Sequence, residues 1–400
     1  MDTAVVVVGI GADGWTGLDA SRRAAVESAD VVLGGTRHLA MLPDDVAAER
    51  RAWPSPLRPA LRALLDELAG RRVVALASGD PLVSGIGSTL VELLGADAVE
   101  ILPAMSSVAV ARAWLGWSAE TVEVVRDHRT LPRHLAPGRR VLVLSADGST
   151  PAQVGRLLTE AGYGDSTMTV LADLGSDDES RVDGVAATWG DASAPALNIV
   201  AVTCVGGAPL GWTAGLPDDA FDHDGQITKR DLRASALARL APVPGELLWD
   251  VGAGAGSIAV EWMRTHASCR AIAIEVRADR RKRIEENAAK LGVPGLVVVE
   301  GHAPEALADL EAPDAIFVGG GATEPGLLDT CWDALRAGGR LVVHGVTLET
   351  EHLLAERYAA QGGELSRLHV EHAAPIGSYT GWTPSRAITQ WSATKSTAGP

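Results

Sequence analysis

The chain has 400 residues, of which 46% are apolar and 22% charged; this excludes an intrinsically disordered protein and gives a prior of about two to three domains. Lys+Arg total 35 against 51 Asp+Glu, a formal charge of −16, so a nucleic acid or an anionic membrane surface would be repelled. No stretch reaches the roughly 18 uncharged apolar residues of a membrane span, and the opening at Asp2 lacks the basic flank of a secretory leader, so no membrane partner and a cytoplasmic location are expected.

In chain order, residues 5–8, 31–33, 73–77, 99–102 and 141–144 are short runs rich in β-branched residues. Gly, Pro or Asp closes each, and a helix-period stretch usually follows. Between residues 59 and 68, Leu61, Leu64, Leu65 and Leu68 share one helix face. Thr150 is read as the cap of a further helix, with Pro151 in its first position and Leu157 and Leu158 facing inward. Residues 167–171, 181–187 and 198–205 are strand-like with little helix between them. A mostly parallel sheet followed, after about residue 165, by a more antiparallel unit is therefore expected. Residues 206–221 are rich in Gly, Pro and small side chains and read as a linker.

Beyond it a second α/β run begins with a helix over 228–240. Strands at 247–251, 271–275, 296–299, 315–318 and 341–343 alternate with helices starting near Ser257, Arg277, Pro304, Pro325 and Glu349, and a polar tail follows Trp391. This alternation predicts a doubly wound sheet with helices on both faces. Cys204, Cys269 and Cys331 have neither metal nor redox spacing and are expected to be reduced and buried, with no metal site.

The sharpest local signal is WDVGAGAGS (249–257), a strand, a glycine loop and a helix start. Gly252, Gly254 and Gly256 let backbone turn tightly and approach a ligand. Glu275, at the end of the next strand, can accept hydrogen bonds from two ribose hydroxyls. A dinucleotide fingerprint fits imperfectly, because its last position is Ser257. Asp250 would also repel a pyrophosphate, whereas S-adenosylmethionine offers an ammonium and a sulfonium. The order therefore favours S-adenosylmethionine. In EGHAPEAL (300–307) an adenine could meet backbone at Ala303, and PDAIFVGGG (313–321) leaves three glycines at the carboxyl end of the fourth strand.

In the N-terminal half, VVGIGADG (7–14) satisfies G-x-G-x-x-G at Gly9, Gly11 and Gly14, but the strand at 31–33 ends in Gly34 and Gly35 with no acid for a ribose. A dinucleotide there would make the chain an NAD(P)-dependent oxidoreductase, the alternative reading. ASGDPLVSGIG (77–87) joins a strand to a helix, and PAMSS (103–107) offers Ser106 or Ser107 as an N-cap. A cofactor-sensing regulator would need a basic or partner surface, and the acidic balance speaks against it.

Together these strings resemble a known fusion. VVGIGADG, ADVVLGGTRHL (29–39), SGDPLVSGIG and PAMSS make residues 1–205 similar to tetrapyrrole methylases of the CbiE type. DGQITK (224–229), DVGAGAGSIAVEW, EGHAPEAL, FVGGG, GGRLVVHGVTLET (338–350) and SYTGW (378–382) make residues 222–391 similar to Rossmann-like methyltransferases of the CbiT type. In this order they resemble the CobL-type, decarboxylating C5,15-methyltransferases of corrin biosynthesis.

The resemblance implies a two-subdomain tetrapyrrole methylase domain (1–205), a linker (206–221) and a Rossmann-like, doubly wound methyltransferase domain (222–400). It implies an S-adenosylmethionine-dependent enzyme with two cofactor sites per chain. That enzyme methylates precorrin-6B at carbons 5 and 15 and removes the ring C acetate carboxylate to give precorrin-8X. The implied cofactor contacts are Thr228, Gly252, Ala253, Gly254, Ala255, Gly256, Glu275 and Ala303, with Asp250 beside them, and in the N-terminal half Gly79, Asp80 and Pro81. Ala12 departs from the family, which commonly carries Pro there. No catalytic residue is assigned. His344, as a proton relay, and Glu349 are candidates past the fifth strand. Lys229, Arg230, Arg233, Arg386, Arg37, Arg126 and Arg129 are candidate cations for the substrate carboxylates, and Tyr379 and Trp382 could stack on the macrocycle. The expected partner is a small tetrapyrrole, with no nucleic acid, and a homo-oligomer is expected.

Overall fold

A computed structural model describes residues 5–397; Asp2 and the last three residues of the tail lie outside the described residues. The chain divides into two compact units, Met1–His128 with Ala136–Gly207, and Arg129–Leu135 with Ala208–Pro400.

The first unit holds two sheets. Strands β1 (Val5–Ile10), β2 (Val31–Gly34), β3 (Glu49–Ala52), β4 (Val73–Ser78) and β5 (Val99–Leu102) form the first, in the order β3-β2-β4-β1-β5. All of its pairs are parallel. A parallel sheet is covered on both faces, which is why its inner strands are runs of Val rather than alternations. Val5, Val7, Leu61, Leu65 and Leu90 pack on one face and Val8, Ile10, Val26 and Leu76 on the other. Strand β3 escapes sequence reading because Glu-Arg-Arg-Ala is charged, as suits a sheet edge: Glu49 pairs with Arg71 and Arg51 with Glu67.

The second sheet has β6 (Val122–Val125), β7 (Arg140–Leu144), β8 (Thr167–Ala172), β9 (Ser180–Val185) and β10 (Asn198–Thr203) in the order β6-β7-β10-β8-β9. Only β6 and β7 pair in parallel. The change of character thus comes before residue 165, and residues 141–144 belong with the second sheet. The helix Thr150–Glu160 is preceded by Ser149 at the cap position. Thr150 lies inside it and accepts from Ala146 N–H at 3.2 Å, tying down the preceding turn instead of capping the helix.

The second unit is built on a seven-stranded sheet. Strands β11 (Leu247–Val251), β12 (Arg270–Glu275), β13 (Val297–Glu300), β14 (Ala315–Val318), β15 (Arg340–Gly345), β16 (Glu364–Leu368), β17 (Glu371–Ile376), β18 (Tyr379–Pro384) and β19 (Ile388–Thr394) follow in sequence. The sheet order is β13-β12-β11-β14-β15-β19-β16, while β17 and β18 form a separate hairpin. Strands β11 to β15 are parallel, and β19 runs antiparallel to β15 and β16. One face is covered by Leu237, Ile258, Trp262 and Ile284, the other by Leu328, Cys331, Leu354 and Trp391. This is the doubly wound sheet expected, lengthened by two antiparallel strands. Near Pro304 only a 3₁₀ turn, Glu305–Leu307, forms, because Pro313 closes the stretch before a helix can propagate. The helix expected from Thr228 starts at Arg230, which leaves Thr228 in the loop before it.

The segment read as a linker is not free chain beyond residue 207. Leu216 and Phe221 are buried in the core of the second unit, with Leu210 and Ala214 against it. Glu261 accepts from Gly215 N–H (2.6 Å) and Leu216 N–H (2.9 Å). Arg233, with no exposed side chain, bonds Glu261, Asp218 and the carbonyls of Leu216 and Thr228, and its guanidinium lies 4.9 Å from the Phe221 ring centre. Composition shows the glycines and prolines; the apolar anchors between them have no period to betray them. All three cysteines are free and buried. No described helix is long and apolar enough to cross a membrane.

Candidate functional site

Strands β11 and β14 are neighbours although they are not consecutive, so the strand order reverses between them, and a crevice opens at their carboxyl ends. A cavity of about 770 Å³ lies there. Gly252, Ala253 and Gly254 line it from the end of β11, Glu275 from β12, Ala303 from beyond β13, Gly319, Gly320 and Gly321 from beyond β14, and His344 from β15. Thr228 and Lys229 line it from the loop before the helix Arg230–Leu240.

The glycines have different tasks. Gly254 has φ +60° and a Cβ there would sit 2.9 Å from Gln226 O, so the loop is pressed against the 224–229 segment. Gly256 has φ +73° and its Cβ would meet Ile284 Cγ2 at 2.8 Å, so this glycine allows the helices Ser257–Thr265 and Ala278–Lys290 to close up. Neither Gly256 nor Ala255 lines the cavity; Ala255 is buried and its carbonyl accepts from Asn287 Nδ2 at 3.0 Å.

Glu275 holds the loop as well as facing the cavity. Its Oε2 accepts from Gly254 N–H and its Oε1 from Arg277 N–H, both at 3.0 Å. Each oxygen keeps a lone pair for a further donor. Asp250 departs from its expected part. It is buried, does not line the cavity, and accepts from Ala259 N–H at 3.1 Å in the first turn of the helix Ser257–Thr265. Burial, with Glu275 nearby, pushes its carboxyl up to about 7. A carboxyl so placed braces the loop on the helix; it does not present a charge to a ligand.

His344 is buried at the cavity edge, its ring edge-on to Phe317 with centres 4.9 Å apart. Glu349 stands apart, exposed in the first turn of the helix Leu348–Gln361 and not part of the lining. Its carboxyl is lowered by its own backbone N–H and by Thr347. Of the candidate cations, Arg233 is consumed in the core, Arg230 donates to Gly215 O at 2.7 Å, and Lys229 lies 3.7 Å from Asp218. Arg386 lines the cavity and has no ion pair or hydrogen bond among the described residues. Tyr379 and Trp382 sit on the β17–β18 hairpin, 80% and 69% exposed, outside the lining. Sequence reasoning missed Gln390, which meets His344 Nε2 at 2.9 Å, and Arg239 behind it; the strand Ile388–Thr394 that carries Gln390 has no apolar alternation to signal it.

In the first unit a smaller cavity, about 140 Å³, is lined by Gly11, Ala12 and Gly79 from the first sheet and by Leu144, Leu171 and Ile199 from the second. Asp80 and Pro81 do not line it. Asp80 accepts from Leu82 N–H at 2.9 Å to close a turn, and Pro81 fills the space that Cβ atoms at Gly85 and Gly87 would need. Arg37 lines the cavity and donates to Ser78 Oγ at 3.1 Å, while Arg126 and Arg129 line neither cavity. Ser106 caps the helix Ser107–Leu115 by accepting from Ala109 N–H. The oxidoreductase alternative is not supported. A Cβ at Gly9 would lie 2.0 Å from Gly79 O, so this glycine serves a crossing of two backbones. The loop also runs into a 3₁₀ turn, Gly14–Gly17, rather than an α-helix whose N-terminus could face a pyrophosphate.

Family models agree with these two arrangements. The model described as "Tetrapyrrole (Corrin/Porphyrin) Methylases" matches residues 4–189, and that described as "Precorrin methyltransferase domain" matches residues 219–395. The precorrin-6Y C(5,15)-methyltransferase (decarboxylating) of Mycobacterium tuberculosis is 47% identical over 399 residues, covering 98% of this chain and 100% of that protein. The chain belongs to the decarboxylating precorrin-6Y C5,15-methyltransferase family. A probable cobalt-precorrin-6B C(15)-methyltransferase (decarboxylating) of Saccharolobus solfataricus is 35% identical over 142 residues, 34% of this chain and 71% of that protein. The crystal structure of the C-terminal domain of a precorrin-6Y C5,15-methyltransferase from Rhodobacter capsulatus is 47% identical, covering 46% of this chain and all of that one, with a TM-score of 0.45.

Methyltransferases of the precorrin-6Y C5,15 family use S-adenosylmethionine. The residues around the larger cavity fit that group. The volume of about 770 Å³ lies within the roughly 300–1,000 Å³ of small-molecule pockets. Gly254 keeps its side clear of Cβ atoms, and the Glu275 carboxylate has acceptor capacity left. The smaller cavity measures about 140 Å³.

Proposed function

We propose that this chain methylates precorrin-6B at carbons 5 and 15 and decarboxylates the ring C acetate, giving precorrin-8X. The observation that carries the reading is the convergence of Gly252, Gly254, Glu275 and Ala303 on one cavity at the strand-order reversal. Membership of the family along the full chain supports it.

The site residues would act as follows. Thr228, Gly252, Ala253, Gly254, Glu275 and Ala303 hold the cofactor, Glu275 by accepting from the ribose hydroxyls while it fixes Gly254. Bound S-adenosylmethionine supplies an electrophilic methyl group on a good leaving group. Asp250, Ala255 and Gly256 act one layer behind, bracing the loop on its helix. The β14–β15–β19 side of the cavity, with Gly320, His344 and Ile388, is left for the macrocycle, and Arg386 for one of its carboxylates. The work of the protein is alignment, which can supply up to about 7–11 kcal/mol of a barrier. Decarboxylation is assisted by the substrate, whose conjugated imines take up the electron pair.

The second unit would transfer the carbon-15 methyl and release carbon dioxide, as the name of the Saccharolobus relative suggests, and the first unit would serve carbon 5. Two cofactor sites per chain, a division into 1–205 and 222–400 around the packed segment, a homo-oligomer and a cytoplasmic location complete the reading. For the first unit, with Gly79 at its small cavity and Asp80 and Pro81 beside it, support comes from the family relation and not from cavity size. The test supplies the full chain with precorrin-6B and S-adenosylmethionine and weighs the product. Gain of two methyl groups with loss of one carbon dioxide is expected, and an unchanged mass would overturn the reading. Calorimetric titration with S-adenosylhomocysteine should reach two molecules per chain and NADH should not bind; one per chain would remove the second site.

A further inference from the structure

Strand β19 reads Ile-Thr-Gln-Trp-Ser-Ala-Thr, and Gln390 in its middle has no exposed surface. A buried amide needs partners at both ends. We assign the Gln390 amide with its oxygen toward Arg239, where it accepts from Nε (2.9 Å) and Nη1 (3.2 Å) and its nitrogen donates to Ser235 Oγ (3.3 Å) and His344 Nε2 (2.9 Å), because this orientation satisfies both ends. The opposite orientation would set the amide nitrogen against the guanidinium, donor against donor. Gln390 and His344 face each other directly in the antiparallel register of β15 and β19, so the sheet itself fixes the contact. Arg239 is held in turn by Glu364.

A neutral imidazole that accepts at Nε2 carries its proton on Nδ1. In His344 that Nδ1 has no partner among the described residues and is not sealed from solvent, and the residue lines the cavity. Burial, and behind Gln390 the charge of Arg239, bring the imidazole down to about 4, so the ring is neutral at pH 7. Strand β15 lies two strands from β11, roughly 10 Å at about 4.8 Å per strand, and on the side away from β12 and β13. This N–H therefore stands apart from the groups placed around the cofactor.

We propose that His344 donates its Nδ1–H to the departing carboxylate of the tetrapyrrole, with Gln390 and Arg239 as positioning residues that fix its tautomer. This rests on the reading of the cavity as the site of decarboxylating methyl transfer. The chemistry calls for a neutral donor. The bond between the side-chain methylene and the carboxylate breaks, carbon dioxide leaves, the electron pair enters the conjugated macrocycle, and water supplies the proton that ends on carbon. A cation against the carboxylate would stabilise the ground state more than the transition state. A neutral N–H orients it at smaller ground-state cost. A ring that is neutral at pH 7 is a poor proton source, so His344 orients and does not relay.

The test uses the full chain with precorrin-6B and S-adenosylmethionine. His344→Phe keeps a ring without the donor and should lower the kcat of carbon dioxide release roughly 10- to 100-fold, because the breaking bond is no longer held in line with the conjugated system. S-adenosylhomocysteine affinity should stay unchanged. His344→Asn, which offers an amide N–H near the Nδ1 position, should recover most of the rate. Gln390→Glu pairs with Arg239 and accepts from Nε2–H, reversing the tautomer. It should lose the rate with His344 intact, and the nitrogen-15 histidine spectrum should change from Nδ1–H to Nε2–H. An Nε2–H signal in the wild-type protein, or full activity of both His344→Phe and Gln390→Glu, overturns the proposal. Should His344→Phe fail to fold, judged by its melt and cofactor binding, the Asn and Gln390 variants decide alone. A wild-type chain that releases no carbon dioxide overturns the functional reading instead, and the tautomer remains readable.

Discussion

Removing the Glu275 carboxylate should show two losses that can be measured apart. The side chain is 4% exposed and accepts from Gly254 N–H and Arg277 N–H, each at 3.0 Å. Glu275→Ala leaves both donors without this acceptor; a donor sealed from water would cost about 1–3 kcal/mol, but both bonds are part-buried and Arg277 is exposed. Gly254 borders the open cavity, so water can reach its N–H and the cost there is at the low end. A total loss of about 1 kcal/mol of folding stability without ligand is expected. The proposed bonds from the ribose to a charged acceptor add a binding loss of roughly 1.5–3 kcal/mol, a factor of about ten to a hundred or more in Kd. Glu275→Gln keeps the volume but turns an NH₂ toward one of the two N–H groups, so it should fall close to Ala. The assay is calorimetric titration of the full chain with S-adenosylhomocysteine, paired with urea unfolding. Equal binding of the parent, the 2′-deoxy and the 3′-deoxy cofactor by the wild-type chain would refute the ribose role. An unchanged unfolding midpoint in Glu275→Ala would refute the bracing role.

Gly254→Ala and Gly256→Ala should divide by function: the first, 2.9 Å from Gln226 O and lining the cavity, weakens S-adenosylhomocysteine binding, and the second, 2.8 Å from Ile284 Cγ2, lowers urea stability by about 1–3 kcal/mol. The same titrations and melts check both. Asp250 has its carboxyl raised from 3.8 to about 7, so the stability linked to it is complete below about pH 4 and is lost as pH rises through 7. Asp250→Asn keeps the acceptor for Ala259 N–H without that loss, so its thermal midpoint should gain on wild type between pH 4 and 7 and run level with it in shape above. Shortening the second unit to begin at Asp222 removes Leu216 and the backbone partners of Glu261 and Arg233, which leaves a buried ion pair under-satisfied. Such a chain should melt well below one beginning at Ala208 or fail to fold, as circular dichroism would show.

The parts of the fold that sequence displays are those whose pattern is local. Parallel strands such as Val5–Ile10 and Leu247–Val251 are short apolar runs with punctuation at their ends, and the amphipathic face of Leu61, Leu65 and Leu68 needs no partner to be seen. The edge strand Glu49–Ala52 and the hairpin strands Glu371–Ile376 and Tyr379–Pro384 have little to bury, so they carry no such pattern. The packed segment before Asp222 is hidden for another reason. Its order comes from Arg233 and Glu261, which a composition window reads as ordinary surface charges although both are buried.

The site divides in the same way. The glycine loop and Glu275 are legible because a strand must end where a ligand meets it, and the spacing of acid and glycines is a local fact. What each residue does depends on which way it faces once the sheet is built. Asp250 lies on a strand whose residues are all buried, so its carboxylate goes to the helix behind the loop rather than to the ligand. His344 shows the limit most clearly. Alone in sequence it is a histidine at a strand end, more often a structural residue than a proton relay. The tautomer proposed for it depends on Gln390, 46 residues away, and that partnership exists only because the last strand of the sheet returns antiparallel beside it in a single register. A slip of one residue would turn Gln390 to the opposite face and leave the imidazole free to choose its proton.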